Sequence, residues 1–301
     1  MYEQIAANKR RSAFLIFIFA LIVAGVVVAI NFLISGGVVG FVIAAVIAIT
    51  LSFVSYFNSD KVALRMSRAH PADPREYARY HNLVEGLCIA SGLPKPALYI
   101  VDDAAPNAFA TGRNPRHAAL AVTTGLLEKM NRVELEAVLA HELSHVKNYD
   151  VLVMTIAVTM VGIIALMADF FLRFMFWGGM RNNRDNQNNS PLGPLFGIIG
   201  VVLLVFAPII ARLMQFAVSR QREYLADASG VQLTRYPPGL ISALKKLKDD
   251  TTVVHAASKA TAHLWIEEPL EVEKQSISTK FNRMFASHPP IDDRIAALEA
   301  M

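Results

Sequence analysis

LAHELSHVKNYDVLVMTIAV (Leu139–Val158) sets two histidines among acids and bases and then runs straight into an apolar stretch. Asn131 followed by Glu134 predicts a capping box, opening a helix that runs at least to Val146. On that helix His141, Glu142 and His145 match H-E-x-x-H. A spacing of four puts both imidazoles on one face, able to share one metal, while Glu142 stands about 100° round the axis, able to act as a base on water. A hydrolytic zinc site takes three protein ligands and keeps one position for water, so the chain must supply a third donor elsewhere.

The surrounding composition is not that of an ordinary soluble domain. Of 301 residues, 54% are hydrophobic and 18% charged, with a mean hydropathy of +0.38. Cys88 is the only cysteine, which excludes an intrachain disulfide and a cysteine-rich zinc knuckle and leaves it as a small packing hydrophobe. The net charge of +4 does not point to nucleic acid, because the basic residues lie beside apolar runs and not in an aromatic-interleaved patch. Lys9, Arg10 and Arg11 precede a long apolar run with no small-residue cleavage site, which reads as an anchor and not as a removed signal peptide.

Four runs have the length to cross hydrocarbon: Ala13–Ile34, Val38–Phe57, Val151–Trp177 and Leu192–Phe216. The first two turn tightly at Ser35–Gly37. Lys9, Arg10 and Arg11, then Lys61, Arg65 and Arg68, then Arg220 and Arg222 fall on one side, predicted to be cytoplasmic. The later pair is less regular. Asp169 and Arg173, at i, i+4, interrupt the third run, and Arg181 and Arg184 lie in the polar loop Arg181–Ser190, so a hairpin that dips into the membrane without crossing stays open beside a full crossing. The expected organisation is a two-helix hairpin at 1–57, a first cytoplasmic catalytic segment at 58–150, a second hydrophobic hairpin at 151–216 and a second catalytic segment at 217–301. The fold class expected is a mainly α membrane protein with four hydrophobic helices and an α+β zincin-like catalytic domain holding a small sheet.

Within the first catalytic segment Asp73 and Pro74 predict a helix start, and Gly92 with Pro94 and Pro96 its end. Ala97–Val101 reads as a strand, Ala105–Gly112 as a turn or loop and His117–Thr124 as a second strand. The best third ligand is Glu223, 78 residues beyond His145, with Asp227 one turn further on, placed to accept the N–H of a ligating histidine. Taken alone Glu223 reads more readily as a solvated charge than as a ligand. His70, His81, His117, His255 and His263 lack ligand spacing, and neither G-x-S-x-G nor a phosphate-binding loop is present.

These motifs resemble the HtpX membrane zinc metalloproteases, relatives of the CAAX prenyl proteases. The likeness runs through YEQIAANKRR at the start, PNAFATG (Pro106–Gly112), LAVTTGLLEKMNRVELEAVLAHELSHVKNYD, SRQREYLADASG and SHPPIDDRI (Ser287–Ile295). It implies one Zn2+ per chain held by His141, His145 and Glu223, Glu142 as general base and acid, and Asp227 behind a ligand. By the same resemblance His288 and Arg294 look like transition-state stabilisers, and Asn107, Ala108 and the edge strand that follows line the substrate groove. An edge strand can bind an extended peptide by adding its backbone to the sheet. By the same resemblance Arg181–Ser190 and Thr251–Phe285 are variable, HLWIEEPLEVEKQSISTKF (His263–Phe281) within the latter reads as a flap, and Trp177 and Trp265 read as interfacial anchors.

The expected activity is a zinc endopeptidase in the cell membrane, its catalytic part facing the cytoplasm, acting on misfolded or damaged membrane proteins under stress. The partners expected are polypeptides and the lipid bilayer, not nucleic acid. A dedicated processing protease and a nonenzymatic membrane protein with a structural zinc are the rivals; a structural site has no use for Glu142.

Overall fold

The apolar runs at the start of the chain fold as two long helices, α1 (Tyr2–Leu33) and α2 (Gly37–Met66), packed along one another. The computed structural model describes residues 2–33, 37–157, 159–160, 220–252, 265–266 and 289–301. On α1, Asn8, Ser12, Leu15, Phe19 and Ile22 recur at helical spacing and are buried, forming the inward stripe. The outward faces carry large apolar side chains that are half or more exposed: Phe14, Phe17 and Leu21 on α1, and Val38, Val39, Ile43, Val46, Ile49 and Phe53 on α2.

Among the described residues no helix is long and apolar enough to cross a membrane. The expectation of four hydrophobic membrane helices is therefore not established by these residues. Residues 161–219 lie outside the description, and with them the Asp169–Arg173 pair, Trp177 and the loop Arg181–Ser190.

Beyond α2 the chain builds a small mixed sheet from β1 (His70–Pro71), β2 (Ala97–Val101), β3 (Ala108–Gly112) and β4 (Ala118–Thr123), in the order β1-β2-β4-β3. β2 and β4 run parallel with Leu98 opposite Leu120, and β3 pairs antiparallel to β4 with Ala110 opposite Leu120. Side chains alternate across it as the strand period requires. Leu98, Ile100, Ala108, Ala110, Leu120 and Val122 join the main core, while Val101, Phe109, Ala119 and Ala121 pack with Ala63 and Leu64 from α2 and with Trp265.

Three local expectations change. Ala108–Gly112, read as loop, is a fully buried strand, because its small residues fit between β4 and the helix beneath; an Ala-Phe-Ala-Thr alternation is too weak to announce itself. Asp73 does not cap a helix: its Oδ1 accepts from the Arg75 amide, closing a local turn, and α3 (Ala78–Ser91) starts only after Tyr77. It does end at Gly92, which takes the left-handed conformation with φ 71°. Trp265 is no interfacial anchor. It is fully buried, edge-on to Phe109 with centroids 4.7 Å apart, because the apolar far side of the sheet needs a large side chain to cover it.

The short α4 (Thr124–Lys129) leads into α5 (Arg132–Lys147), which opens with the expected capping box: Asn131 Oδ1 accepts from the Val133 and Glu134 amides, and Glu134 accepts from the Asn131 amide. Glu134 also accepts from Ser242 Oγ and Lys246 Nζ, each at 2.7 Å, tying α5 to α7 (Pro237–Asp249). A further helical stretch starts at 150. α6 (Arg220–Thr234) lies along α5, and α8 (Ile291–Glu299) packs on α6 and α7.

Gly230 sets the approach of α6 to α5: a Cβ there would stand 3.0 Å from the His141 amide nitrogen and 3.2 Å from its Cα. Gly230→Val should therefore push the helices apart and cost about 1–3 kcal/mol, read as a lower denaturation midpoint together with weaker zinc binding. Unchanged zinc affinity would show that this approach does not set the site.

Candidate metal centre

His141 and His145 come from the buried face of α5, and Glu223 from the first turn of α6; all three side chains are nearly inaccessible to solvent. The two Nε2 atoms are 3.2 Å apart, and the Glu223 oxygens lie 3.7 Å from His141 Nε2 and 3.6 Å from His145 Nε2. The three ligand atoms lie within 4.8 Å of one another. A tetrahedron about an ion some 2.0–2.1 Å from each donor has edges of about 3.3 Å, close to these separations. Two facing imidazole nitrogens and a carboxylate, buried side by side, make a poor resting place for anything but a cation.

The outward nitrogens are held as metal-binding histidines need. Asp227 Oδ1 is 2.8 Å from His141 Nδ1, and Asp150 Oδ2 is 3.2 Å from His145 Nδ1. Each carboxylate accepts the Nδ1–H and so turns an Nε2 lone pair toward the centre. Arg294 clamps Asp227 with two bonds, Nε to Oδ2 at 2.9 Å and Nη2 to Oδ1 at 2.6 Å. It is fully buried, and among the described residues its Nη1 has no hydrogen-bond partner. Burial pushes the Asp227 carboxyl up, but the charges of Arg294 and His141 and their hydrogen bonds outweigh it, leaving a pKa of about 2.

For His145 burial disfavours the proton, yet Glu223, Asp150 and Glu142 outweigh it and raise the pKa to about 9. The metal-free protein thus gains stability from a charged His145 below the unfolded value of about 6.5 and loses it as pH rises through about 9. Metal must displace that proton, so zinc affinity should climb between about pH 6.5 and 9, measured by chelator competition at several pH values. A flat profile would contradict the arrangement.

Of the other expected site residues, Glu142 is buried on α5, and its charge bears on both His145 and Arg294. His288 lies outside the described residues. Asn107 is buried at the head of β3, its backbone N–H and C=O both bonded to Thr123. Ala108 O accepts from the Ile266 amide at 3.0 Å. Asp150 was not anticipated. It stands five residues after His145, off the end of α5, where helical spacing predicts no contact; the only local sign is Tyr149 at φ 61°, which turns the chain back under the imidazole.

Asp227→Asn should keep the packing but weaken zinc binding about 10–100-fold. Competition with a metal indicator reads this; native affinity would mean that His141 does not depend on its carboxylate.

The profile of Peptidase family M48 matches residues 74–301. The chain is 42% identical to a Protease HtpX homolog of Caldanaerobacter subterraneus, covering all of this chain and 98% of that one. It is 46% identical to a Protease HtpX homolog of Listeria innocua, with both chains covered in full. Among solved structures it resembles S. mikatae Ste24p, with a TM-score of 0.53 at 16% identity over 99% of this chain and 67% of that one, a likeness of fold.

Proposed function

We propose that this chain, which belongs to peptidase family M48 and is a metallopeptidase, is a zinc endopeptidase of the cell membrane that clears misfolded or damaged membrane proteins. One observation carries the reading: the buried convergence of His141, His145 and Glu223 from two helices, with Glu142 beside them. A structural metal would be satisfied by the ligands alone; a buried glutamate next to them is what peptide hydrolysis requires.

Zinc, when bound, polarises the scissile carbonyl and makes the attacking water more acidic. Glu142 takes the proton from that water and passes it to the departing amine. Asp227 and Asp150 hold the imidazoles in the tautomer that faces the metal. Arg294 keeps Asp227 ionised and, with His288, supplies positive charge toward the developing oxyanion. The outer edge of β3 receives the substrate backbone, and the Ile266 N–H on Ala108 O is the kind of bond an added strand would make there.

The exposed apolar faces of α1 and α2 support placement in lipid, because a monomer in water rarely leaves such a contiguous surface uncovered. Lys9, Arg10 and Arg11 before the first run and Lys61, Arg65 and Arg68 after the second support a cytoplasmic catalytic part.

The test is cleavage by the purified chain in lipid nanodiscs, against several destabilised membrane proteins and their folded forms. Cutting of many unfolded substrates, abolished by chelation and restored by zinc, is expected. Cutting of a single substrate at one site would favour a dedicated processing protease, and no cutting in any arm would overturn the reading.

A further inference from the structure

The amide of Asn8, on the first turns of α1, is buried against the metal centre. Its Nδ2 donates to Asp150 Oδ1 at 2.7 Å and to the Asn148 carbonyl at 2.9 Å, across 142 and 140 residues of sequence. An NH2 group has two protons, and both partners are pure acceptors, so these contacts use the full donor capacity and fix the orientation of the amide. The other oxygen of Asp150 faces His145 Nδ1. The 148–150 turn is gripped a second time, because Lys9 Nζ lies 4.6 Å over the Tyr149 ring. Arg222 Nη1 also approaches Asp150 Oδ1, at the longer distance of 3.9 Å.

We infer that Asn8 is a positioning residue for the metal centre: through Asp150 it sets the orientation of His145, so that zinc binding and turnover depend on where α1 sits. This rests on the metallopeptidase reading above. Asp150 hangs from a turn whose Tyr149 holds the left-handed conformation, a local geometry that needs outside support. Without the Asn8 donor one oxygen of a buried carboxylate loses its short partner, and the carboxylate is free to rotate away from the imidazole. The same helix continues into the apolar stretch with the exposed Phe14, Phe17 and Leu21. A shift of that stretch is therefore passed to the centre through Asn8 and the 148–150 turn.

The test compares Asn8→Leu, which keeps the branched heavy-atom shape and removes the donor, with Ser12→Ala one turn on. Ser12 is buried on the same α1 face, and among the described residues its hydroxyl has no hydrogen-bond partner. In the full-length chain, Asn8→Leu should weaken zinc about tenfold in chelator competition, the loss expected for a hydrogen bond to a charged group. It should also shift the visible band of the cobalt-substituted protein and lower kcat with KM within about twofold. Ser12→Ala should do none of these. On an Asp150→Asn background the Asn8→Leu effect on zinc should shrink, because both changes cut the same link.

Native zinc affinity and cobalt spectrum in Asn8→Leu, or an equal loss in Ser12→Ala, would overturn the inference, as would full additivity with Asp150→Asn. If Asn8→Leu does not fold, Asn8→Ala is read by the same criteria. A native chain that takes up no zinc would instead refute the metallopeptidase reading, and the inference with it.

Discussion

Glu142→Gln retains zinc and loses peptide-bond cleavage by a factor on the order of 10²–10⁴, the range that a positioned general base contributes. The carboxylate is not among the three groups that converge on the cation site, so its amide analogue should leave metal content near one per chain. What the amide cannot do is accept the proton of the attacking water or deliver it to the leaving amine. The two effects must separate, and metal analysis beside a cleavage assay decides whether they do. Cleavage equal to that of the native chain would end the assignment of Glu142 as base and acid. Loss of zinc with loss of cleavage would make Glu142 a structural element of the site.

Glu223→Ala is expected to have the larger effect on the metal. It removes one of three donors and leaves the two buried Nε2 atoms, 3.2 Å apart, without the carboxylate that completes the set. Zinc affinity should fall by more than the roughly 10–100-fold expected when a residue behind a ligand is changed, and cleavage should disappear with it. The proton balance shifts too. Glu223 is the largest of the charges that hold the His145 proton in place, so in the variant His145 should titrate lower in the metal-free state. NMR of the imidazole resonances reads this directly, and an unchanged His145 titration would mean that Glu223 does not face it in solution.

Much of the centre was legible before any fold was known, for reasons that can be named. H-E-x-x-H and the Asn131–Glu134 box depend on the helical repeat alone, which brings residues three and four apart together wherever the helix lies. Glu223 with Asp227 is the same kind of signal, one turn of α6, although that it faces His141 is not. β3 escaped because Ala-Phe-Ala-Thr carries little preference of its own, and its strand conformation comes from pairing with β4. Asp150 escaped because the contact with His145 passes through a turn and not a helix. Trp265 was misplaced because a tryptophan near apolar helices suits a membrane interface and a protein core equally well, and only the empty far side of the sheet decides between them.

By itself, then, the sequence determined the paired histidines of H-E-x-x-H and the helix that displays them, because periodic spacing and capping are local and act within a few residues. Tertiary structure decided the rest: the meeting of α5 with α6 that completes the cation site, the edge position of β3, and the contact from Asn8 on α1 to Asp150. These join positions tens to more than a hundred residues apart. They are set by which surfaces bury one another, as at Gly230, where the absence of a single methyl lets two helices close to contact.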